Sequence, residues 1–139
     1  MTDLKQTGGC LCGAVRFEVT GEPVISAHCY CKDCQKASGT SHITAIMYPQ
    51  TQIKIKGDLK EYSSPAESGE TVTRSFCPTC GSRLFGQSTS MEGLKTVMAG
   101  SFDDNSWIKP QAIVYDKDRP EWDRNINRLP SFPAMPPRP

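Results

Sequence analysis

An all-β fold with mainly antiparallel strands is predicted by three observations. Apolar residues alternate with polar ones in short runs instead of recurring at helical spacing. Gly, Pro, Asp or Ser separates each run from the next at regular intervals. Only residues 32–38 have the pattern of a helical turn. With 139 residues, the chain reads as one domain over 1–139, with a modest core that a metal could brace.

The first run is Ala14-Val-Arg-Phe-Glu-Val-Thr20. It places Val15, Phe17 and Val19 on one face and Arg16 and Glu18 on the other. Val24 to Ala27 is the next strand, followed by the helical turn Lys32 to Ser38, which Gly39 can stop. His42 to Tyr48 is another strand. Gln52-Ile-Lys-Ile-Lys56 alternates, and Gly57-Asp58 turns it into Leu59-Lys-Glu-Tyr-Ser63. Thr71 to Phe76, Arg83 to Phe85, Leu94 to Met98 and Ala112 to Tyr115 complete the set, so the core spans about 8–115. Beyond it, Pro120, Pro130, Pro133, Pro136, Pro137 and Pro139 exclude regular structure. Residues 116–139 are therefore expected to form an extended tail that lies against the body near Trp122 and frays after Arg128. Trp107 and Trp122 read as packing anchors.

Charge and hydropathy narrow the function. Sixteen basic residues oppose fifteen acidic ones, for a net charge of +1. No run of Lys or Arg forms a footprint for nucleic acid. No segment approaches the roughly 18 apolar residues of a membrane span. The stretch Met1 to Gly9 lacks the apolar core of an export signal. A cytoplasmic, reducing setting is expected, where cysteines bind metal more readily than they pair.

The seven cysteines are an odd number, so intrachain disulfides cannot use all of them. They fall into Cys10-Leu-Cys12, Cys29-Tyr-Cys31-Lys-Asp-Cys34 and Cys77-Pro-Thr-Cys80. The forms C-x-C and C-x2-C put two thiolates on one tight turn, which suits tetrahedral zinc. Cys77 to Cys80, with Gly81 after it, is a zinc knuckle. A redox dithiol is the other reading, but such pairs open a helix, and here strands flank both sides. Cys10 and Cys12 sit among Gly8, Gly9 and Gly13 and form the other half-site candidate. Joined to Cys77 and Cys80, they would make a closed structural site. Cys29, Cys31 and Cys34 then remain as a trio with an open coordination position. Three thiolates around Zn(II) carry one net negative charge, which suits holding a fourth sulfur as thiolate better than making hydroxide. Two other arrangements stay open. His28 or His42 closes the trio, or Cys31 and Cys34 pair with Cys77 and Cys80 as a zinc ribbon.

Three blocks carry a resemblance. They are Gly8-Gly-Cys-Leu-Cys-Gly-Ala-Val-Arg-Phe17, His28-Cys-Tyr-Cys-Lys-Asp-Cys-Gln-Lys-Ala-Ser-Gly39 and Phe76-Cys-Pro-Thr-Cys-Gly-Ser-Arg-Leu84. In this order they resemble the glutathione-dependent formaldehyde-activating enzymes, a family also named for centromere protein V, and all seven cysteines match. The resemblance implies an Mss4-like fold of packed antiparallel sheets and two Zn2+ per chain. Cys10, Cys12, Cys77 and Cys80 would hold the structural ion, and Cys29, Cys31 and Cys34 the catalytic one. The implied activity is that of a carbon–sulfur lyase, making or splitting the S-hydroxymethylglutathione formed from formaldehyde and glutathione.

The expected function is thus an enzyme acting on a thiol adduct of a small aldehyde. Its partners are a small thiol such as glutathione and the aldehyde, with no nucleic acid and no membrane. Lys32, Gln35, Lys36 and Ser38, whose small loop follows the ligands, are candidates for proton handling and for binding the thiol's carboxylate. The rival is a noncatalytic, zinc-stabilised module that binds a protein or a small thiol.

Overall fold

The structure, a computed structural model, describes residues 4–138. Met1–Asp3 of the expected domain and Pro139 of the expected tail lie outside the described residues. The strands are β1 (Lys5–Gly9), β2 (Arg16–Thr20), β3 (Ile25–Cys29), β4 (Ile43–Pro49) and β5 (Ile53–Lys56), then β6 (Lys60–Pro65), β7 (Thr71–Phe76), β8 (Arg83–Ser88), β9 (Leu94–Met98) and β10 (Ala112–Val114). Helix α1 (Lys32–Ser38) follows β3, and the short α2 (Glu121–Arg124) lies near the C-terminus. Among the described residues, no helix is long and apolar enough to cross a membrane.

Two sheets form. The smaller has the order β1-β2-β5, and the larger β10-β3-β4-β9-β8-β7-β6. All pairings are antiparallel except β10 with β3. This is the all-β, Mss4-like arrangement that was expected. Strand alternation decides which residues meet between the sheets. Phe17 and Val19 from the small sheet, with Val15 just before β2, bury against Ile46, Tyr48, Leu84, Phe85 and Val97 from the large one. Phe17 sits edge-on to both Phe85 and Phe102, with ring centroids 5.4 and 5.3 Å apart. Such pairs add about 1 kcal/mol each beyond the area they bury. Trp107 packs on the same cluster through Phe102, 5.2 Å away, as an anchor should.

The other face of the large sheet carries Ile25 and Ala27 of β3 and Ala45 and Met47 of β4, and it stays open as the floor of a groove. α1 roofs one end of it: Asp33, Lys36 and Ala37 share a small cleft with Tyr62 and Ser64 of β6 and Arg74 of β7. Gly39 ends the helix as expected, adopting φ 75° while its N–H reaches Gln35 O at 2.8 Å.

Sequence patterning misses β1. Its residues, Lys-Gln-Thr-Gly-Gly, show no apolar alternation, because glycine has no side chain to register a buried position. Pairing with β2 fixes the strand, and Thr7 is tied from both sides to Asp103, which also pairs with Arg16.

The tail differs from expectation in two respects. Residues 116–128 form helical turns, and the extended tail is confined to 129–138. Trp122 is 65% exposed and anchors nothing. The anchor is its neighbour Asp123, 7% exposed. Its carboxylate accepts hydrogen bonds from Tyr30 Oη and Ser41 Oγ, both at 2.9 Å, and from Arg119 Nε at 3.3 Å. Burial pushes the Asp123 carboxyl up, but these hydroxyls, with the charges of His42 and Arg119, outweigh it and hold the group below the usual carboxylate range. A depressed folded pKa contributes stability above the ordinary carboxyl value and loses it as pH falls through the folded one. Asp123→Asn is therefore expected to cost about 2 kcal/mol at neutral pH. In urea melts the gap to the parent protein should narrow below about pH 4. A gap that does not change with pH would show that the carboxylate's charge is not what docks the tail.

Candidate metal centres and the adjoining groove

Cys10 and Cys12 lie in the turn from β1 to β2, and Cys77 and Cys80 in the turn from β7 to β8. Both turns wrap backbone around sulfur. Val15 N–H donates to Cys10 Sγ at 3.2 Å, and Thr79 N–H to Cys77 Sγ at 3.4 Å. Gly81 takes φ 77°, a left-handed dihedral that a side chain would strain, and its N–H closes the knuckle on Cys77 O at 2.9 Å. The two turns also touch, since Leu11 N–H donates to Ser82 Oγ at 3.1 Å.

The four sulfurs converge within 4.8 Å of one another, and all seven cysteines are free thiols. Cys10 to Cys12 is 3.7 Å and Cys12 to Cys77 is 3.8 Å. A tetrahedron with Zn–S bonds of about 2.3 Å has an edge of about 3.8 Å. These spacings therefore fit a tetrahedral ion. The crowded thiols are driven apart in acidity. The Ser82 hydroxyl and amide, with the Cys12 amide, bring Cys80 down to about 5. The Ala14 amide pulls Cys12 down, but burial and the neighbouring sulfurs win and push it up to about 11. A divalent cation between them would let all four ionise.

The trio is built differently. Cys29 ends β3, Cys31 caps α1, and Cys34 sits buried in the helix's first turn. Cys34 N–H donates to Cys31 Sγ at 3.3 Å. The Cys29 and Cys34 thiols, together with the Cys34 and Asp33 amides, bring Cys31 down to about 2. Cys29, Cys31 and burial push Cys34 far up. The three sulfurs lie within 4.8 Å of one another, and among the described residues no fourth His, Cys, Asp or Glu joins them. His28 alternates with Cys29 and is bound to Thr44 Oγ1 at 2.8 Å, while His42 is bound to Ser41 Oγ at 2.9 Å. The trio is thus not closed by histidine, and the zinc-ribbon pairing does not form. Three soft donors with room for a fourth fit a zinc ion as well as the four-sulfur site does.

All three trio cysteines line the groove, whose volume is about 960 Å³. Of the loop residues expected to assist, Lys32 lines it too. Gln35 donates its amide to Tyr30 O at 2.9 Å and Asp118 O at 3.0 Å, tying α1 to the tail. Lys36 opens into the smaller cleft, and Ser38 Oγ donates to Gln35 O at the helix end.

Sequence reasoning missed two arginines in the groove. Arg74 of β7 is 9% exposed, and its Nη1 donates to Ser64 Oγ at 3.1 Å while Nε has no partner. Arg83 of β8 has neither Nε nor Nη1 satisfied. Burial and the nearby Arg74 hold the Arg83 guanidinium below its usual range, against the opposing pull of Cys34 and Cys31. A bulge aims Arg83. Ser75 pairs with Phe85 but Phe76 with Arg83, so Leu84 is skipped and β8 reverses its face. The one legible signal was Arg74 itself, a charge at the same strand parity as Val72.

Residues 5–118 match the family described as "Glutathione-dependent formaldehyde-activating enzyme". A Halomonas elongata protein, provisionally named as such an enzyme, is 26% identical over 127 residues, covering 83% of this chain and 77% of its own. A crystal structure of a Rhodobacter sphaeroides protein superimposes with a TM-score of 0.58 at 21% identity, over 77% of this chain and 97% of that one. The latter likeness shows the fold alone. With its cysteines gathered as a closed quartet and a groove-facing trio, and with the family match running from β1 into the turn after β10, the chain belongs to the glutathione-dependent formaldehyde-activating enzyme family.

Proposed function

We propose that this protein is a zinc-dependent carbon–sulfur lyase-type enzyme, acting as one domain in the cytoplasm, that joins a small thiol to a small aldehyde or splits the adduct. Formaldehyde and glutathione, giving S-hydroxymethylglutathione, are the pair the family name suggests. The observation that carries the reading is the trio of Cys29, Cys31 and Cys34, which has no fourth protein donor among the described residues and lines a groove of ligand size. Zinc in that trio would supply the positive charge that lets an incoming thiol shed its proton. The second zinc, on Cys10, Cys12, Cys77 and Cys80, would be structural.

In the forward direction the thiol sulfur attacks the aldehyde carbon, one C–S bond forms, and the thiol's proton ends on the former carbonyl oxygen. The reverse step breaks that bond and returns the proton. The groove would hold the thiol's carbon chain on its apolar floor. Lys32, on the groove wall, would handle the proton, and Lys36, in the smaller cleft, would add positive charge. Gln35 and Ser38 keep α1, and hence Cys31 and Cys34, in position.

The test is exchange spectroscopy with 13C-formaldehyde and glutathione on the zinc-loaded protein. Exchange between free aldehyde and adduct should run at least tenfold faster than without protein. A rate equal to the uncatalysed one, with two zinc ions bound, would leave the noncatalytic binding module as the better reading.

A further inference from the structure

We propose that Arg74 and Arg83 form a receptor for a carboxylate, so that the groove selects thiols carrying a carboxylate close to the sulfur. The inference rests on the thiol reading above and names the substrate class more narrowly.

Three observations lead to it. First, both guanidiniums line the groove and hold unsatisfied N–H groups in buried positions, Nε on Arg74 and Nε and Nη1 on Arg83. Buried donors are almost always paired, and a buried charge left unpaired is costly, so such a site is built for a partner that arrives. Second, no carboxylate of the described residues supplies that partner. Glu67 at the groove's rim is engaged by Lys117 at 2.7 Å, Glu70 is engaged by Thr89, and Asp33 makes no ion pair with either arginine. Third, the β8 bulge brings Arg83 onto the groove face when strict alternation would turn it away.

Geometry picks the ligand. The trio with a divalent ion carries one net negative charge, and Arg83 lies next to it, beside Cys34. The planar fork of a guanidinium matches a carboxylate with two parallel N–H···O bonds. The apolar floor accepts the carbons between sulfur and carboxylate. Arg83 and Arg74 would act as specificity residues, fixing the thiol's far end.

The experiment compares 3-mercaptopropionate with its neutral amide, 3-mercaptopropionamide, on the cobalt-substituted protein. The sulfur-to-cobalt charge-transfer band reports thiol binding independently of turnover. The acid is expected to bind at least about tenfold tighter than the amide. That preference should vanish in Arg74→Gln and Arg83→Gln, while amide affinity stays near the parent value in both. Acid and amide binding equally to the parent protein, both shifting the band, would overturn the carboxylate receptor and leave the thiol reading standing. A preference that survives both substitutions places the carboxylate elsewhere, on the metal for instance, and also overturns it. No band shift with either thiol removes the thiol reading and this inference together. Should the glutamine variants fail to fold, Arg74→Lys and Arg83→Lys serve, with a reduced acid preference expected and an unchanged one counting against the receptor.

Discussion

Cys77→Ser is expected to leave no folded protein. Cys77 is 0% exposed and sits in the core cluster as well as among the four sulfurs. The quartet joins two turns 65 residues apart, shown by the 3.8 Å contact of Cys12 with Cys77. It thereby ties the small sheet to the large one where β1 leads into β2. Structural zinc contributes about 10–16 kcal/mol of apparent binding free energy in small modules. A domain of this size has a net stability of about 5–15 kcal/mol. Losing a ligand of a closed site therefore removes an amount comparable to the whole stability. Far-UV circular dichroism, soluble yield and zinc content of the purified variant measure the effect. A soluble Cys77→Ser protein with a native melt would show that the quartet is not a staple.

Cys34→Ser should give the opposite pattern, with fold retained and chemistry lost. Cys34 is 6% exposed, but serine nearly matches its volume, and α1 is already fixed by Gln35's bonds and the Gly39 cap. The trio uses one strand end and one helix turn, so it closes only a short loop and little unfolded-state entropy depends on it. Metal stoichiometry should fall from two to one per chain. Aldehyde–thiol exchange should drop at least 100-fold, with the melting temperature within a few degrees of the parent. If Cys34→Ser and Cys77→Ser unfold alike, the division into a stabilising and a reactive site fails.

Much of this was legible along the chain. The strands carrying Phe17, Ile46, Tyr48 and Val97 show themselves by alternation, because each has one face in the core. The helical turn after Cys31 and its glycine stop are equally local. β1 was invisible because two of its five residues have no side chain to alternate. The tail's anchor was misassigned to Trp122 for a related reason. Hydrophobic size suggested burial, whereas Asp123 is held by Tyr30 and Ser41, residues 93 and 82 positions away.

By itself, the order of residues determined an all-β chain with metal-binding turns and a family, since alternation, glycine turns and cysteine spacing all act within a few residues. The folded chain alone decided which cysteines meet, that neither histidine closes the trio, and that Arg74 and Arg83 share the trio's groove. The physical reason is that ligand sets and charge partners depend on distances across the sheets. Those distances depend on strand order and on one skipped residue at Leu84.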